Sequence, residues 1–250
     1  MSAQLKLARN DEGEPEIFRS IQGEGPAIGR PRTFVRLSGC NLHCVWCDTA
    51  YTWNWTGTPF EHESRKKFDP SAEMIKLRAV DAAALIRALP SEGVVITGGE
   101  PLMQMDALVE VIDALREHDP RRLVEIETNG SIAPSDGLID RIHSFVVSPK
   151  LAHSGNDTNL ALKPDVLHRY AQLPAAVLKF VAKDAGDIEA AAEIADRYGF
   201  PAQRIYIMPE GTASDELRTR GSALIDATIA HGFNYSDRLH IHLFGQKRGV

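Results

Sequence analysis

Three cysteines lie within eight residues of one another and constrain this chain more than any other feature of its sequence. They are Cys40, Cys44 and Cys47, and the chain contains no further cysteine. The C-x3-C-x2-C spacing places three thiols on one short loop, where they can hold three irons of a [4Fe–4S] cluster and leave the fourth iron without a protein ligand. An iron left open in this way can bind a small molecule and transfer an electron to it.

A zinc site is the alternative interpretation of this loop, with His43 or His62 as the fourth ligand. Zinc loops commonly combine one C-x2-C pair with a second pair, and this sequence lacks the second pair. Three clustered cysteines are also a poor disulfide framework and are typical of a reducing compartment. We therefore favour the iron–sulfur interpretation and expect a cytoplasmic protein.

Composition narrows the classes of partner. The 250 residues carry 28 basic and 34 acidic side chains, a net charge of −6, so we expect no nucleic-acid-binding face. We expect no membrane association, because no apolar run is long enough to span a bilayer and the first residues lack the apolar stretch of a signal peptide. A chain of this length can bury a full core, and we expect one domain over residues 1–250.

Short apolar runs alternate with segments of helical period, which favours an α/β fold with a parallel sheet and crossover helices. The predicted strands are residues 33–37, 94–97, 123–128, 145–147, 177–181, 205–208 and 239–243. The predicted helices are residues 80–89, 105–118, 136–142, 187–198 and 214–231. This strand count fits a partial, open parallel β/α barrel better than a closed eightfold barrel. Residues 51–76 have no clear period, and such long irregular segments are usually functional or mobile.

Polar or special residues follow several of the predicted strands. Because the carboxyl ends of parallel strands share one edge of a sheet, where ligands bind, we expect these residues to converge on one site. Each group also has a structural interpretation, as a Gly-Gly turn, a helix cap or a core methionine. The groups are Gly98-Gly99-Glu100, Glu127-Thr128-Asn129, Ser148-Pro149-Lys150 and Met208.

Two histidines alternate along the last predicted strand. His240 and His242 would lie on one face of a strand over residues 239–243 and form a candidate metal pair. Half-buried polar neighbours are the commoner outcome for such a pair.

The cysteine loop and the Gly-Gly-Glu strand end, about fifty residues apart, together resemble the radical S-adenosylmethionine (SAM) enzymes. The resemblance implies a [4Fe–4S] cluster on the three cysteines, SAM as a second cofactor and the partial, open β/α barrel of that superfamily. It places the cluster loop at residues 40–47 and a variable insertion at about 51–76. The implied SAM contacts are Trp46, Asp48, Gly98, Gly99, Glu100, Thr128, Asn129, Ser148, Pro149, Lys150 and Met208.

A narrower resemblance covers nearly the whole chain. Residues 17–25, 34–41, 47–49 and 242–250 are similar to the 7-carboxy-7-deazaguanine synthases of the deazapurine pathway to queuosine. That family implies 6-carboxy-5,6,7,8-tetrahydropterin as substrate, a radical ring contraction with loss of ammonia, a dependence on Mg²⁺, a homodimer and a flavodoxin-type electron donor. The implied Mg²⁺ ligand is Thr49. The implied substrate contacts are Ile21, Gln22, Gly23, Arg36, Thr97, His242 and Val250.

Two other classes remain open at this stage. Glycyl-radical activating enzymes share the cysteine loop and the Gly-Gly-Glu strand end, but they act on a protein and do not need Arg36 or the loop that starts at Gln22. A non-enzymatic metal-binding protein would have no use for several polar strand ends that converge on one face.

Overall fold

One mixed sheet organises the fold. A computed structural model of the chain describes residues 2–250, and the strands in this part follow the order β10-β9-β8-β7-β6-β5-β3-β1-β4, with β2 paired to β3. The strands are β1 (Gln4–Ala8), β2 (Ile17–Ile21), β3 (Pro31–Leu37), β4 (Met74–Arg78), β5 (Gly93–Gly98), β6 (Leu123–Thr128), β7 (Ser144–Val147), β8 (Ala176–Ala182), β9 (Ile205–Pro209) and β10 (Asn234–Tyr235).

Helices connect the parallel strands. They are α1 (Pro70–Glu73), α2 (Ala79–Arg87), α3 (Met105–Arg116), α4 (Asp136–Ile139), α5 (Thr158–Ala161), α6 (Pro164–Ala171), α7 (Ala185–Tyr198), α8 (Ser214–Ala230) and α9 (Leu239–Phe244). Local chemistry explains their bounds: α7, for example, begins where the Asp184 side chain accepts from the Gly186 backbone at 2.8 Å and ends at Gly199, whose φ of 78° suits glycine. None of the helices in residues 2–250 is long and apolar enough to cross a membrane.

The sheet is parallel from β3 through β5 to β10, and antiparallel where β1, β2 and β4 join it. The two ends of the strand order, β10 and β4, are not paired with each other, so the barrel stays open. The partial parallel barrel predicted from the sequence is confirmed. Since β3 and β5 to β9 point the same way, their carboxyl ends lie along one edge.

The main core lies between the sheet and its helices. Val94 and Ile96 on β5 are almost fully buried, as is Val95 between them, so this strand reads as one continuous apolar run. Helix α3 buries Leu108 and Ile112 against the same core. Each such side chain contributes roughly 1.5–3 kcal/mol relative to an exposed position.

A second, smaller hydrophobic cluster covers the outer side of the cysteine loop. It consists of Ala8, Ala50, Tyr51, Trp53 and Phe68, with Cys40, Cys47, Trp55 and Phe60 packed against it. The insertion that supplies most of these residues is held from within, because Lys67 Nζ donates to Asn54 Oδ1 at 2.7 Å and to Thr58 O at 3.0 Å. The segment therefore has its own hydrogen bonds and packs against the cysteine loop.

Several predicted elements need correction. Residues 239–243 form part of helix α9 and not a strand. The strand prediction was wrong because histidine alternates with leucine and isoleucine in this segment, as polar and apolar residues do in a half-buried strand. Of the residues of α9, only Ile241 is buried. The segment predicted to be irregular over residues 51–76 is shorter, because residues 74–76 belong to β4, which pairs with β1. Strands β1 and β2 precede the strand that was predicted to be the first.

Candidate active site

A cavity of about 230 Å³ lies at the carboxyl edge of the sheet. Residues from β2, β3 and β5 to β9 line it, together with the cysteine loop and residues 210–212, 238, 240 and 250. The predicted site residues that line it are Ile21, Gln22, Gly23, Arg36, Cys40, Cys44, Trp46, Cys47, Asp48, Thr49, Thr97, Gly98, Gly99, Thr128, Asn129, Ser148, Lys150, Met208 and Val250. Glu100, Pro149 and His242 do not line it.

The surroundings of the cysteine loop, where Cys44 is buried and Cys40 and Cys47 are half-buried, favour the thiol over the thiolate unless a positive charge lies beside the sulfurs. Burial raises the pKa of Cys40 to about 12 and that of Cys47 to about 11, and it raises the pKa of Cys44 as well. Neighbouring side chains hydrogen-bond to the sulfurs: Asn156 Nδ2 donates to Cys44 Sγ at 3.2 Å, and Thr49 Oγ1 shares a hydrogen bond with Cys47 Sγ at 3.5 Å. The iron of a bound cluster would supply that positive charge, and hydrogen bonds to sulfur tune such clusters. These residues therefore fit a [4Fe–4S] cluster.

The histidines of the zinc interpretation have other partners. The His43 ring stacks on Phe60 with 3.4 Å between ring centroids, and His62 Nε2 lies 2.8 Å from the Cys47 carbonyl oxygen. Throughout residues 2–250, no three histidine, cysteine or acidic side chains are grouped to hold a single metal ion. The geometry does not support a zinc site.

The Gly-Gly strand end packs directly against the cysteine loop. A Cβ atom on Gly99 would lie 1.9 Å from Gly39 O, far inside contact distance, so only glycine fits there. The Gly99 backbone donates to Leu37 O at 2.9 Å, and the Glu100 backbone donates to Gly39 O at 2.8 Å. The glycines thus bring bare backbone to the cavity wall next to the cluster ligands.

The Glu100 side chain is not part of the cavity lining, and its contact with SAM stays a prediction. It is fully buried and accepts from Leu102 N at 2.9 Å, from Thr128 Oγ1 at 2.9 Å and from Asn129 N at 2.8 Å. Burial raises the pKa of this carboxyl, and the three donors stabilise its charged form. Glu100 therefore positions Thr128 and Asn129, which do line the cavity.

Trp46 and Lys150 form the opposite side of the cofactor region. Lys150 Nζ donates to Ser148 Oγ at 2.8 Å and lies 5.8 Å from the centre of the Trp46 indole ring. The Trp46 Nε1 donor is buried and has no acceptor among residues 2–250. An unpaired buried donor is costly, so it marks a place for an acceptor on a bound molecule.

Arg36 presents part of its guanidinium to the cavity. Its Nε donates to Glu16 Oε1 at 2.8 Å, and Glu16 is fully buried. Its two terminal nitrogens have no hydrogen-bond partner in the described part of the chain. A fork of two free donors at a cavity wall suits a carboxylate.

Glu127 also lines the cavity, although the resemblance to known families assigned no contact to it. It accepts from Gln22 Nε2 at 3.1 Å and from Thr97 Oγ1 at 2.8 Å. Gln22 Nε2 also donates to Glu125 Oε1 at 2.7 Å. Burial and the charge of Glu127 raise the pKa of Glu125 to about 7.

A buried group of charges closes the far wall, and the sequence reasoning missed it. Glu24 bonds to Lys179 and, at 3.0 Å, to Arg238, which also bonds to Asp48. Burial alone would raise the pKa of Glu24, but Lys179 and Arg238 hold that pKa well below its usual range. Of this group the sequence had indicated Asp48 as a SAM contact, and Glu24 only through its position inside the segment 17–25.

His240, and not His242, reaches the cavity. Residues that are two positions apart lie on opposite sides of a helix. His240 and His242 therefore do not form the metal pair that was expected on one face of a strand. His242 faces outward, 2.6 Å from Ser214 Oγ and 3.1 Å from Asp237 Oδ1. His240 packs so closely on Gly23 that a Cβ there would lie 2.0 Å from His240 Nδ1.

Comparison with known proteins agrees with this geometry. A family model described as the radical SAM superfamily matches residues 34–220. The chain therefore belongs to the radical SAM superfamily, whose enzymes use a [4Fe–4S] cluster and SAM.

Individual relatives narrow the class. The 7-carboxy-7-deazaguanine synthase of Pyrobaculum aerophilum is 36% identical over 94% of this chain and 95% of its own length. The protein of the same name from Hyperthermus butylicus is 35% identical over 90% of both chains. A crystal structure of QueE from Escherichia coli matches with a TM-score of 0.66 at 26% identity and covers 95% of both chains. Within the superfamily, the chain belongs to the family of 7-carboxy-7-deazaguanine synthases.

Proposed function

We propose that this radical SAM enzyme converts 6-carboxy-5,6,7,8-tetrahydropterin to 7-carboxy-7-deazaguanine by ring contraction with loss of ammonia. One observation supports this substrate most directly: Arg36, Thr97 and Glu127 form a row across three neighbouring strands. Arg36 pairs in register with Thr97, and Thr97 Oγ1 donates to Glu127 at 2.8 Å. With strands spaced roughly 4.8 Å apart, the two ends of the row are about 10 Å apart, comparable with the long dimension of a bicyclic pterin.

The row has the polarity that this substrate needs. The free guanidinium fork of Arg36 is matched to the pterin carboxylate. At the other end, Glu127 accepts hydrogen bonds and is matched to the N–H groups of the amino-substituted pyrimidine edge. The backbone of Ile21 and Gly23 adds further polar groups to the same wall. The Gln22 amide is already engaged with Glu125 and Glu127, so it serves to hold Glu127 in place.

The cofactor region adjoins this row. Cys40, Cys44 and Cys47 would hold the cluster, and SAM would lie against the Gly98-Gly99 backbone. When bound, the cluster and SAM supply the radical chemistry that removes a hydrogen atom from C6 of the pterin. The further SAM contacts that we propose are Trp46, Asp48, Thr128, Asn129, Ser148, Lys150 and Met208, all on the cavity wall.

We propose Thr49 as the protein ligand of a Mg²⁺ ion. Its hydroxyl lines the cavity beside the cluster loop. The neighbouring Asp48 carboxylate is held by Arg238, and although burial alone would raise the pKa of Asp48, Arg238 lowers it. A single protein oxygen suffices where waters and substrate oxygens complete the octahedron, as Mg²⁺ sites often permit.

The remaining expectations also stand as proposals. We propose one domain over residues 1–250, because one sheet includes strands from both ends of the chain. The family resemblance supports a homodimer, a flavodoxin-type electron donor and a cytoplasmic location. Light scattering of the purified protein tests the dimer, and reduction of the cluster by purified flavodoxin tests the donor.

Turnover of the named pterin tests the function. Protein reconstituted anaerobically should bind about four irons and no zinc, and with SAM and a reductant it should release ammonia and the deazaguanine acid, read by mass spectrometry. If it leaves the pterin untouched but places a radical on a protein glycine, the activating-enzyme class is correct instead.

Arg36→Gln tests the substrate pose. The variant should have a lower kcat/KM, by a factor that corresponds to a loss of roughly 2–5 kcal/mol of transition-state stabilisation. The reason is that the substrate carboxylate would lose its charged partner in a desolvated site. SAM affinity and iron content should stay at the wild-type level. Arg30→Gln is the matched control, since Arg30 is exposed. Equal losses in both variants would contradict the assigned role of Arg36.

A further inference from the structure

A short segment after helix α9 reaches the cavity and is anchored to the rest of the protein by one of its residues, Arg248. Residues 245–250 (the tail) follow helix α9, and Val250 lines the cavity. Gly245 N donates to Ile241 O of α9 at 2.9 Å, and the side-chain hydrogen bonds and ion pairs found between the tail and the rest of the described chain come from Arg248. Its guanidinium lies 3.6 Å from the centre of the Tyr51 ring, and its Nη1 lies 2.8 Å from Glu73 Oε2 and 3.8 Å from Asp11 Oδ1.

The same contacts continue to the proposed substrate residue. The Tyr51 hydroxyl donates to both carboxylate oxygens of Glu16, at 2.9 and 3.1 Å. Glu16 in turn accepts from Arg36 Nε at 2.8 Å. Glu16 and Tyr51 are both buried, with exposed fractions of 1% and 5%. A continuous set of contacts therefore runs from the tail to the guanidinium that faces the cavity.

We propose that Arg248, Tyr51 and Glu16 form a latch that holds the tail at the cavity and fixes the orientation of Arg36. Arg248 is thus a positioning residue for binding of the substrate carboxylate. The proposal rests on the proposed function and deepens it.

The latch has a defined selectivity. It acts on the Arg36 end of the row, whereas Glu127 is held separately by Gln22 and Thr97. Loss of the latch should therefore weaken binding of a pterin that carries a 6-carboxylate and leave an unsubstituted pterin almost unaffected. A general loss of folding would weaken the binding of both pterins.

Fluorescence titration of the reconstituted enzyme tests this selectivity with two unreactive probes, 6-carboxypterin and pterin. Arg248→Met should raise the Kd of 6-carboxypterin about tenfold, since it removes the cation over the ring together with the ion pair, and should change the Kd of pterin by less than about twofold. Tyr51→Phe keeps the ring beneath Arg248 but removes the bonds to Glu16, and it should show the same selective loss. Arg248→Lys should recover part of the affinity, because the charge beside Glu73 remains.

Lys247→Met is the matched control, because Lys247 is the exposed neighbour of Arg248. This variant enzyme should bind both probes with the wild-type Kd. Hydrogen–deuterium exchange should rise in residues 245–250 of Arg248→Met while the central strands stay protected. Unchanged discrimination between the two pterins in Arg248→Met and Tyr51→Phe would overturn the latch, as would an equal loss of SAM affinity. Wild-type enzyme that leaves the tetrahydropterin unconverted would instead overturn the proposed function, whatever the variants show.

Discussion

Glu125 should make the stability of this protein fall as the pH rises. The side chain is buried behind Glu127, and its pKa is raised from the ordinary 4.5 to about 7. Between these two values the folded protein binds more protons than the unfolded chain, so the free energy of unfolding decreases with pH across that window. Above it, the buried charge costs about 3 kcal/mol, from the size of the pKa change.

Glu125→Gln removes this cost without removing the hydrogen bond. The new amide oxygen can still accept from Gln22 Nε2, which lies 2.7 Å from the present carboxylate oxygen. The variant cannot ionise, so its stability relative to wild type should improve by about 2–3 kcal/mol between about pH 5 and about pH 8.5. For a chain of this size, that corresponds to a relative gain in Tm of about 4–12 °C.

Urea unfolding at the two pH values, under anaerobic conditions, measures the difference. Glu12→Gln is the control, because Glu12 is exposed and its substitution should give no pH-dependent gain. A stability difference between Glu125→Gln and wild type that stays constant with pH would refute the assignment of the raised pKa to Glu125.

Three further variants probe the cofactor side. Gly99→Ala places a Cβ 1.9 Å from Gly39 O and should abolish both cluster retention and SAM binding; normal brown absorbance after reconstitution would contradict the packing argument. Glu100→Ala leaves three buried donors unpaired and should lower the free energy of unfolding by about 3–5 kcal/mol. Full stability with lost SAM affinity would instead mean that Glu100 contacts SAM. Thr49→Ala should raise the Mg²⁺ concentration needed for half-maximal turnover while SAM affinity stays unchanged, and an unaltered Mg²⁺ response would remove Thr49 as ligand.

The central strands and the motifs that end them could be predicted from the sequence. Strand β5 is buried on both faces and its sequence is a nearly continuous apolar run, and the carboxyl ends of the parallel strands must share one edge. The edge elements could not be predicted in this way. Strand β10 has two residues, and the alternating histidines of α9 imitated a strand. Sequence spacing alone therefore missed β10 and assigned the wrong type of element to α9.

Side-chain direction and long-range pairing were the other limits. The Gly98-Gly99-Glu100 motif located the strand end correctly, but spacing does not show that the Glu100 carboxylate turns inward to Thr128. The pair of Lys179 with Glu24 joins residues 155 positions apart. Charge complementarity over such a separation becomes visible only after the fold has brought β8, which carries Lys179, next to the loop that follows β2 and carries Glu24.

The small hydrophobic cluster over the cysteine loop has a consequence for survival in air. Phe60 and Trp53 form an aromatic wall against the loop, where the ring of the loop residue His43 stacks on Phe60 with 3.4 Å between ring centroids and lies tilted against Trp53. Such an apolar shell controls how solvent and dissolved oxygen reach an iron–sulfur cluster. The length and aromatic content of residues 53–68 should therefore set the half-life of the cluster under oxygen, independently of any residue that binds substrate.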